Sequence, residues 1–521
     1  MQKDKKTIKK ERLVVDSASL EMPFPEEVLS EALDLHSRQA KIIADEIPKR
    51  RDFRDILTVT IDPIRARDFD DALSIREIST GGKTKQWEIG VHIADVSFYV
   101  QPGTKLEAEA KRRATSIYLV DRVIPMLPHE LSDDLCSLKQ GVDRLTFSAV
   151  FTLDDNANIL SQWFGRTVIN SNRRFTYEEV ERITQGNEVR NATSSEPEVV
   201  FRTELLKLKE LADKLDKKKI KAGALAFSED EYTYQLGEDG KPISIIKNEH
   251  LESHKLVEDF MLLANKQVAE HVSKLTKNKE RAFVYRIHDR PDPEKFRDFI
   301  NFVKLFGHPV AKLGTSKTIT PKILNDFLKT VAGSPDEDII NEASIRAMNR
   351  AIYSTKNLGH FGLAFKHYTH FTSPIRRYPD LLVHRLLGQY LNKERIDQRF
   401  LLELETLCSH SSDREQFATV AERDSIKLAQ CRYLEKETDK IFDGVVAWMA
   451  DFGIFVEELS TGARGLVRFQ SLPDDYYLFD EKKMVIKGKR HRRTYRLGDK
   501  IKIKVISANP ETRLIDFAIV S

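Results

Sequence analysis

Four aspartates stand within ten residues in IDPIRARDFDDAL: Asp62, Asp68, Asp70 and Asp71. Carboxylates this crowded repel one another, and an acidic run ordinarily lies in a loop where water screens it. Here Ile61, Ile64, Phe69, Ala72 and Leu73 are interleaved with the acids. The segment should therefore be partly buried, where an unpaired carboxylate is expensive. Something positive must sit among the aspartates. Arg65 and Arg67 could supply it in a structural ion-pair loop. A hard divalent cation such as Mg²⁺ could equally do so, because it takes oxygen ligands. Two such ions can activate water and neutralise the leaving oxygen in phosphodiester cleavage. Spacing alone leaves both readings open.

A second segment, GHFGLAFKHYTHFTSPIRRYPDLLVHR, runs from Gly359 to Arg385. His367 and His370 resemble metal ligands by type, but no cysteine, acidic motif or third spaced ligand accompanies them, so they read as structural. Arg376 follows a Ser-Pro turn, a place from which a guanidinium can clamp a phosphate and meet charge developing in a transition state. By itself an Arg-Arg pair is more often a solvated surface feature. GGKT at 81 to 84 is not a phosphate-cradling loop, because Glu77 stands where GxxxxGKT requires glycine.

These residues need a scaffold. Residues 1 to about 21 are polar and lysine-rich and read as a flexible lead-in, and PFPEEVLSEALDL then predicts a helix. ILTVTI (56 to 61) and WEIGVHIADVSFYV (87 to 100) read as paired strands, with STGGKTKQ as the turn between them. Leu205, Leu208, Leu211 and Leu215 recur at helical spacing and predict a packed helix. Further helices are predicted at 251 to 275, 293 to 306, 341 to 353 and 378 to 437, giving an α+β domain whose second half is helical. No repeat of solenoid period is visible. From about residue 438 five short alternating strands follow, which predict a small all-β barrel. The organisation expected is a lead-in over 1–49, a main domain over 50–437 and a barrel over 438–521.

The net charge of +3 is too small to signal a nucleic-acid partner, since only a basic excess concentrated on one surface acts as an electrostatic footprint. Such a concentration runs from Lys482 to Lys504, with Arg490, Arg492, Arg493 and Arg496 in its middle and Tyr495 among them. It is a candidate phosphate-contacting surface. No apolar run approaches the roughly 20 residues needed to span a bilayer, so neither export nor a membrane partner is expected. The three cysteines, Cys136, Cys408 and Cys431, form no close pair, and a reducing cytoplasm is the expected home. The glycosylation-type tripeptide Asn191-Ala192-Thr193 carries no weight without an export signal.

TIDPIRARDFDDALSI, WEIGVHIADVSFYV, RATSIYLVDRVIPMLPHELSDDLCSL, HKLVEDFMLLAN, FVYRIHD and HFTSPIRRYPDLLVHR follow one another over roughly residues 50 to 437. In these motifs and their order the chain resembles the ribonuclease II and ribonuclease R family, and RIHD and HFTSPIRRYPDL lie closer to the ribonuclease R branch. The resemblance implies an RNB-type catalytic domain followed by an S1-like OB-fold barrel. It implies a processive 3′-to-5′ exoribonuclease that hydrolyses single-stranded RNA to nucleoside 5′-monophosphates with two Mg²⁺ ions. Structured RNA stays open as a further substrate. Asp62, Asp68, Asp70 and Asp71 match the family's metal ligands, Asp70 being the one tied most closely to the chemical step. Arg376 matches the arginine at the scissile phosphate, and Tyr118 the tyrosine that stacks on a terminal base. Glu422, in AERD, matches a glutamate near the RNA path. Phe452 and Phe455, in FGIFVEE, stand where S1-like folds display aromatic residues. Family members usually begin with cold-shock-type OB domains and often end in a lysine-rich tail, and neither is read in this chain.

Two rivals stand beside this reading. A catalytically idle RNA-binding relative would carry a damaged acidic cluster, and this one is intact. A DNA nuclease would share the metal chemistry and differ in its contacts to the 2′-hydroxyl.

Overall fold

A computed structural model describes residues 15–78, 85–186, 200–225, 231–248, 251–275, 283–334, 336–472, 475–481 and 484–520. The GGKT motif, the Asn191 tripeptide, and Lys482 and Lys483 of the basic run lie outside the described residues.

The main domain is organised by a mixed sheet. Its strands, with one short hairpin interspersed, are β1 (Arg51–Asp52), β2 (Thr58–Asp62), β3 (Asp71–Ile78), β4 (Gln86–Ala94), the hairpin β5 (Ile117–Tyr118) and β6 (Val123–Ile124), β7 (Asp143–Asp154), β8 (Ile159–Asn170) and β9 (Arg173–Thr176). The spatial order is β1-β8-β7-β4-β3-β2-β9. ILTVTI and WEIGVHIA are thus strands but not neighbours. The tail of the acidic segment, DALSIREI, forms β3 and lies between them, pairing with β2 on one side and β4 on the other. Its run Ala72 to Ile75 is buried, so it reads as a strand wrapped on both faces rather than as a loop. The second predicted strand also stops early, at Ala94. Asp95 beyond it is fully buried and held by Arg50 at 2.7 Å, and Val96–Tyr99 turns into a short helix.

Helices cover the sheet and extend the domain. The predicted helix after Pro25 is Glu26–Ser37. Arg202–Lys221 buries Leu205, Leu208 and Leu211 against Glu252–Leu275, and Pro293–Leu305 follows as expected. Two predictions fail. The helix expected over 341 to 353 is Glu337–Ala347, and the residues after it form β13 (Ile352–Ser354), which pairs with β12 (Tyr285–Ile287); β10 (Glu231–Leu236) and β11 (Pro242–Asn248) make a separate hairpin. The expected continuous helix 378 to 437 is two, Tyr378–Leu391 and Gln398–Leu434. Lys393 takes a left-handed conformation, φ 58°, which ends the first, and Asp397 caps the second by accepting from the Arg399 amide at 2.9 Å. The carboxy-terminal part of the lead-in is also docked rather than loose, since Ser17 donates from its amide and hydroxyl to Asp424 at 3.0 and 2.7 Å.

The five predicted carboxy-terminal strands form a closed barrel of β14 (Ile441–Ala450), β15 (Gly453–Glu458), β16 (Arg464–Arg468), β20 (Lys500–Asn509) and β21 (Leu514–Ile519). Between β16 and β20 lies a three-stranded sheet that sequence patterning did not predict: β17 (Tyr477–Asp480), β18 (Val485–Gly488) and β19 (Thr494–Arg496). The barrel core of Phe442, Val446, Ile454, Val456, Ile503 and Phe517 is completed by Cys431 and Leu434 from the end of the long helix, with Phe302 and Phe306 packed against it. Among the described residues no helix is long and apolar enough to cross a membrane. All three cysteines are free and buried.

Candidate active site

The antiparallel register of β2 and β3, with Val59 opposite Leu73, brings the end of one strand to the start of the other. Asp62 and Asp71 therefore close the same end of the sheet, and Asp68 and Asp70 belong to the connection between them. Arg65 and Arg67 are exposed, and the ion pair to the cluster comes from a distant segment instead. Asp70, only 5% exposed, accepts from the Ile375 amide through Oδ1 at 2.8 Å, and its Oδ2 lies 3.7 Å from Nε of Arg376. Asp68 accepts from the Tyr118 hydroxyl at 3.1 Å.

Each piece is held by elements remote in sequence. Arg376 donates from Nη2 to Ser373 Oγ at 3.0 Å, and its carbonyl accepts from the Ser116 amide at 3.0 Å, two residues before Tyr118. Tyr118 is 39% exposed, its hydroxyl turned to the acids, while its amide donates to Glu422 at 3.2 Å. The Val120 amide donates to Ser425 at 2.9 Å. Glu422 and Ser425 both lie on Gln398–Leu434, so this helix fixes the strand that carries the tyrosine. The sequence-derived residues Asp62, Asp68, Asp70, Asp71, Tyr118, Arg376 and Glu422 thus form one neighbourhood.

Its electrostatics are unusual. Burial holds the carboxyls of Asp62, Asp70 and Asp71 above the ordinary range, although Arg376 opposes this at Asp70 and Asp71 and Arg174 opposes it at Asp62. Among the described residues Oδ2 of Asp62 and Oδ2 of Asp70 are buried without a hydrogen-bond partner. No three His, Cys, Asp or Glu side chains among the described residues converge closely enough to hold an ion between them. Asp68 and Asp70 are each turned to a partner of their own, Tyr118 and Ile375. The donors nevertheless suit a hard divalent cation, being all oxygen and including two buried oxygens with no partner.

Tyr177 escaped the sequence reading. Burial raises its phenol, and the charges of Asp71 and Asp62 add to the rise. Its ring centroid lies 4.0 Å from that of His254. Sequence offers only that it opens a helix behind the capping box of Thr176 and Glu179. Of the two histidines, His370 meets the Tyr353 hydroxyl at 2.8 Å, and His367 the Asn357 amide at 2.7 Å.

On the barrel Phe452 is 53% exposed and meets Phe455 edge to face, centroids 6.0 Å apart. Trp448, which the sequence reading passed over, is paired with Phe455 across β14 and β15 and is 41% exposed. The basic run does not make one surface. Lys487, Lys489, Arg490, Arg492, Arg493 and Arg496 are exposed on the small sheet and its turns, whereas on β20 Lys502 and Lys504 face Asp443 and Asp439 at 2.6 and 3.6 Å. Tyr495 is buried.

Residues 50–393 match the family model described as the RNB domain, and residues 435–519 match the S1 RNA binding domain. Ribonuclease R of Thermotoga maritima is 39% identical over 505 residues, covering 95% of this chain and 68% of that protein. The chain belongs to the ribonuclease R family. Ribonuclease R 1 of Lactococcus lactis is 36% identical over 514 residues, covering 97% of this chain, and the chain spans 60% of that relative's length. Among solved structures, ribonuclease R of Mycoplasma genitalium in complex with ribose-methylated single-stranded RNA superposes with a TM-score of 0.80 at 27% identity. That match covers 95% of this chain and 78% of that one.

Proposed function

We propose that this member of the ribonuclease R family is a hydrolytic 3′-to-5′ exoribonuclease that degrades single-stranded RNA processively and releases nucleoside 5′-monophosphates. The observation that carries the proposal is four carboxylates at one end of the sheet, two of them with a buried oxygen lacking a hydrogen-bond partner among the described residues, beside one arginine and one half-exposed tyrosine. Asp62, Asp68, Asp70 and Asp71 would hold Mg²⁺, two ions in this reading. Bound there, the metal supplies a water made acidic enough to attack at neutral pH and positive charge for the leaving oxygen.

The chain's own residues do the rest. Arg376, oriented by Ser373 and attracted by Asp70, presents a planar cation to the scissile phosphate and lowers the energy of charge gathering there. Tyr118 offers a ring face to a terminal base, and stacking tolerates every base, which suits degradation without sequence preference. The hydroxyl of Tyr118 ties the stacking platform to Asp68, so the base and the reacting phosphate are located from one anchor. Trp448, Phe452 and Phe455 on the barrel, with the basic small sheet, would grip RNA before it reaches the site. In this reading the catalytic domain spans 50–437 and the barrel 438–521, supported by a helix ending at Leu434 and a first barrel strand beginning at Ile441. The buried free thiols agree with a cytoplasmic location.

The test is incubation of the purified protein with end-labelled single-stranded RNA and DNA, in Mg²⁺ or chelator. Mononucleotides released from the 3′ end of RNA, and only with metal, are expected. Binding without turnover would make the chain an idle relative, and equal cleavage of DNA would overturn the substrate assignment.

A further inference from the structure

The segment Ser373–Arg377 delivers two parts of the site at once: the amide of Ile375, which binds Asp70, and the guanidinium of Arg376. It has no helix or strand of its own to hold it in place. Behind it lies Asp380, in the first turn of Tyr378–Leu391, whose side chain is fully buried. One oxygen of Asp380, Oδ1, accepts from the Ser373 amide at 2.8 Å and from Nη2 of Arg377 at 2.7 Å. The Ser373 hydroxyl is in turn the acceptor for Arg376 at 3.0 Å. A buried charge is costly unless paired and hydrogen-bonded, and the two bonds of Oδ1 go to the two ends of a five-residue loop, while Oδ2 is buried without a hydrogen-bond partner among the described residues. On the other side the loop is stitched to the tyrosine strand. Tyr378 donates to the Ala114 carbonyl at 2.9 Å and Ser116 to the Arg376 carbonyl at 3.0 Å.

We propose that Asp380 is a positioning residue for the reaction: acting through Ser373 and Arg377, it sets where Arg376 and the Ile375 amide stand relative to Asp70. The inference rests on the nuclease reading of the site. Asp380 touches neither phosphate nor metal in this scheme. Its effect on rate comes from geometry, because a reacting group displaced by about an ångström costs on the order of 100-fold. In the proposed reading RNA is gripped by Tyr118 and the barrel, to which the hydrogen bonds of Asp380 do not run, so affinity should hardly change.

The experiment is single-turnover cleavage of end-labelled RNA at saturating enzyme by wild type, Asp380→Asn and Ser373→Ala. RNA affinity is measured in chelator, and the folded fraction is taken from the thermal melt. Asp380→Asn keeps the shape and one acceptor but loses the charge that holds Arg377. Its saturated rate per folded molecule is expected to fall by about 10- to 100-fold with affinity within about twofold. Ser373→Ala, which leaves the buried ion pair intact and removes only the anchor of Arg376, is expected to fall by a smaller factor with the same split. If Asp380→Asn does not fold, Arg377→Lys, which keeps a cation against Asp380 and changes only its reach, decides by the same split of rate from affinity. A lowered melting temperature with an unchanged rate per folded molecule would make Asp380 merely structural and overturn the inference, as would a loss confined to affinity. An inactive wild-type protein would instead overturn the nuclease reading, so the two failures are told apart.

Discussion

In the proposed reading the acidic end of the sheet and the aromatic face of the barrel would handle the same polymer in opposite ways. At the acidic end, groups from residues 62 to 71, 118, 373 to 377 and 422 meet around a carboxylate that is 5% exposed, and nearly every one is tied to another by a directed bond. On the barrel, Trp448 on β14, Phe455 on β15 and Phe452 in the turn between them stand close together, with Trp448 41% and Phe452 53% exposed. The contrast teaches what each task demands. Chemistry on a phosphate needs charges desolvated and fixed, because their effect grows in a dry, rigid setting. Gripping a strand of any sequence needs open, tolerant surfaces that a base can reach and leave.

The hardest way to break the comparison is at its acidic pole. Asp70→Asn should lower the cleavage rate by ~10³-fold or more while leaving RNA affinity nearly intact, since it removes the charge and keeps the shape. Single-turnover cleavage alongside binding measured in chelator tests it, and undiminished hydrolysis would remove the proposed site. Arg376→Lys should follow at about 100-fold in rate, because a point-like ammonium cannot reproduce the planar fork held by Ser373. A pure affinity loss with an unchanged saturated rate would move Arg376 to the gripping side of the comparison.

At the other pole, Phe452→Ala combined with Phe455→Ala should weaken RNA affinity by about 10-fold or more and leave the saturated rate untouched. Point changes are preferable to removing the barrel, because its core is shared with Cys431, Leu434, Phe302 and Phe306, and truncation would expose them. Charge reversal of Lys487 and Arg490 should flatten the salt dependence of that affinity by roughly one log-log unit for each phosphate that is no longer neutralised. Tyr118→Ala stands between the poles and should show in the end product more than in rate or affinity. It is expected to lengthen the final product on a denaturing gel, and an unchanged product would make the ring a structural one.

Much of this arrangement was legible in the residues, unevenly. The acidic run was visible because its charges are neighbours in the chain, and the barrel because alternating strands leave a local pattern. That Asp71 begins a strand was hidden by the charges around it: DALSIREI has a strand's apolar residues, yet the acidic motif drew the eye to a loop. Ser373 could not be singled out, since its bonds to Arg376 and Asp380 are contacts that only the tertiary fold creates. The broken helix at Lys393 escaped because nothing in NKERID resembles a glycine stop, and a lysine in a left-handed conformation does that work here.

The 37-residue helix Gln398–Leu434 reaches about 55 Å and serves both poles, steadying the tyrosine strand through Glu422 and Ser425 and ending inside the barrel core. A barrel whose interior includes side chains of the preceding helix cannot close its core before that helix is in place. The helix and the barrel therefore share one core, and neither buries its apolar side chains fully without the other. Heat should undo the two together, so that calorimetry of the whole chain shows one cooperative transition in place of the two that independently folded domains would give.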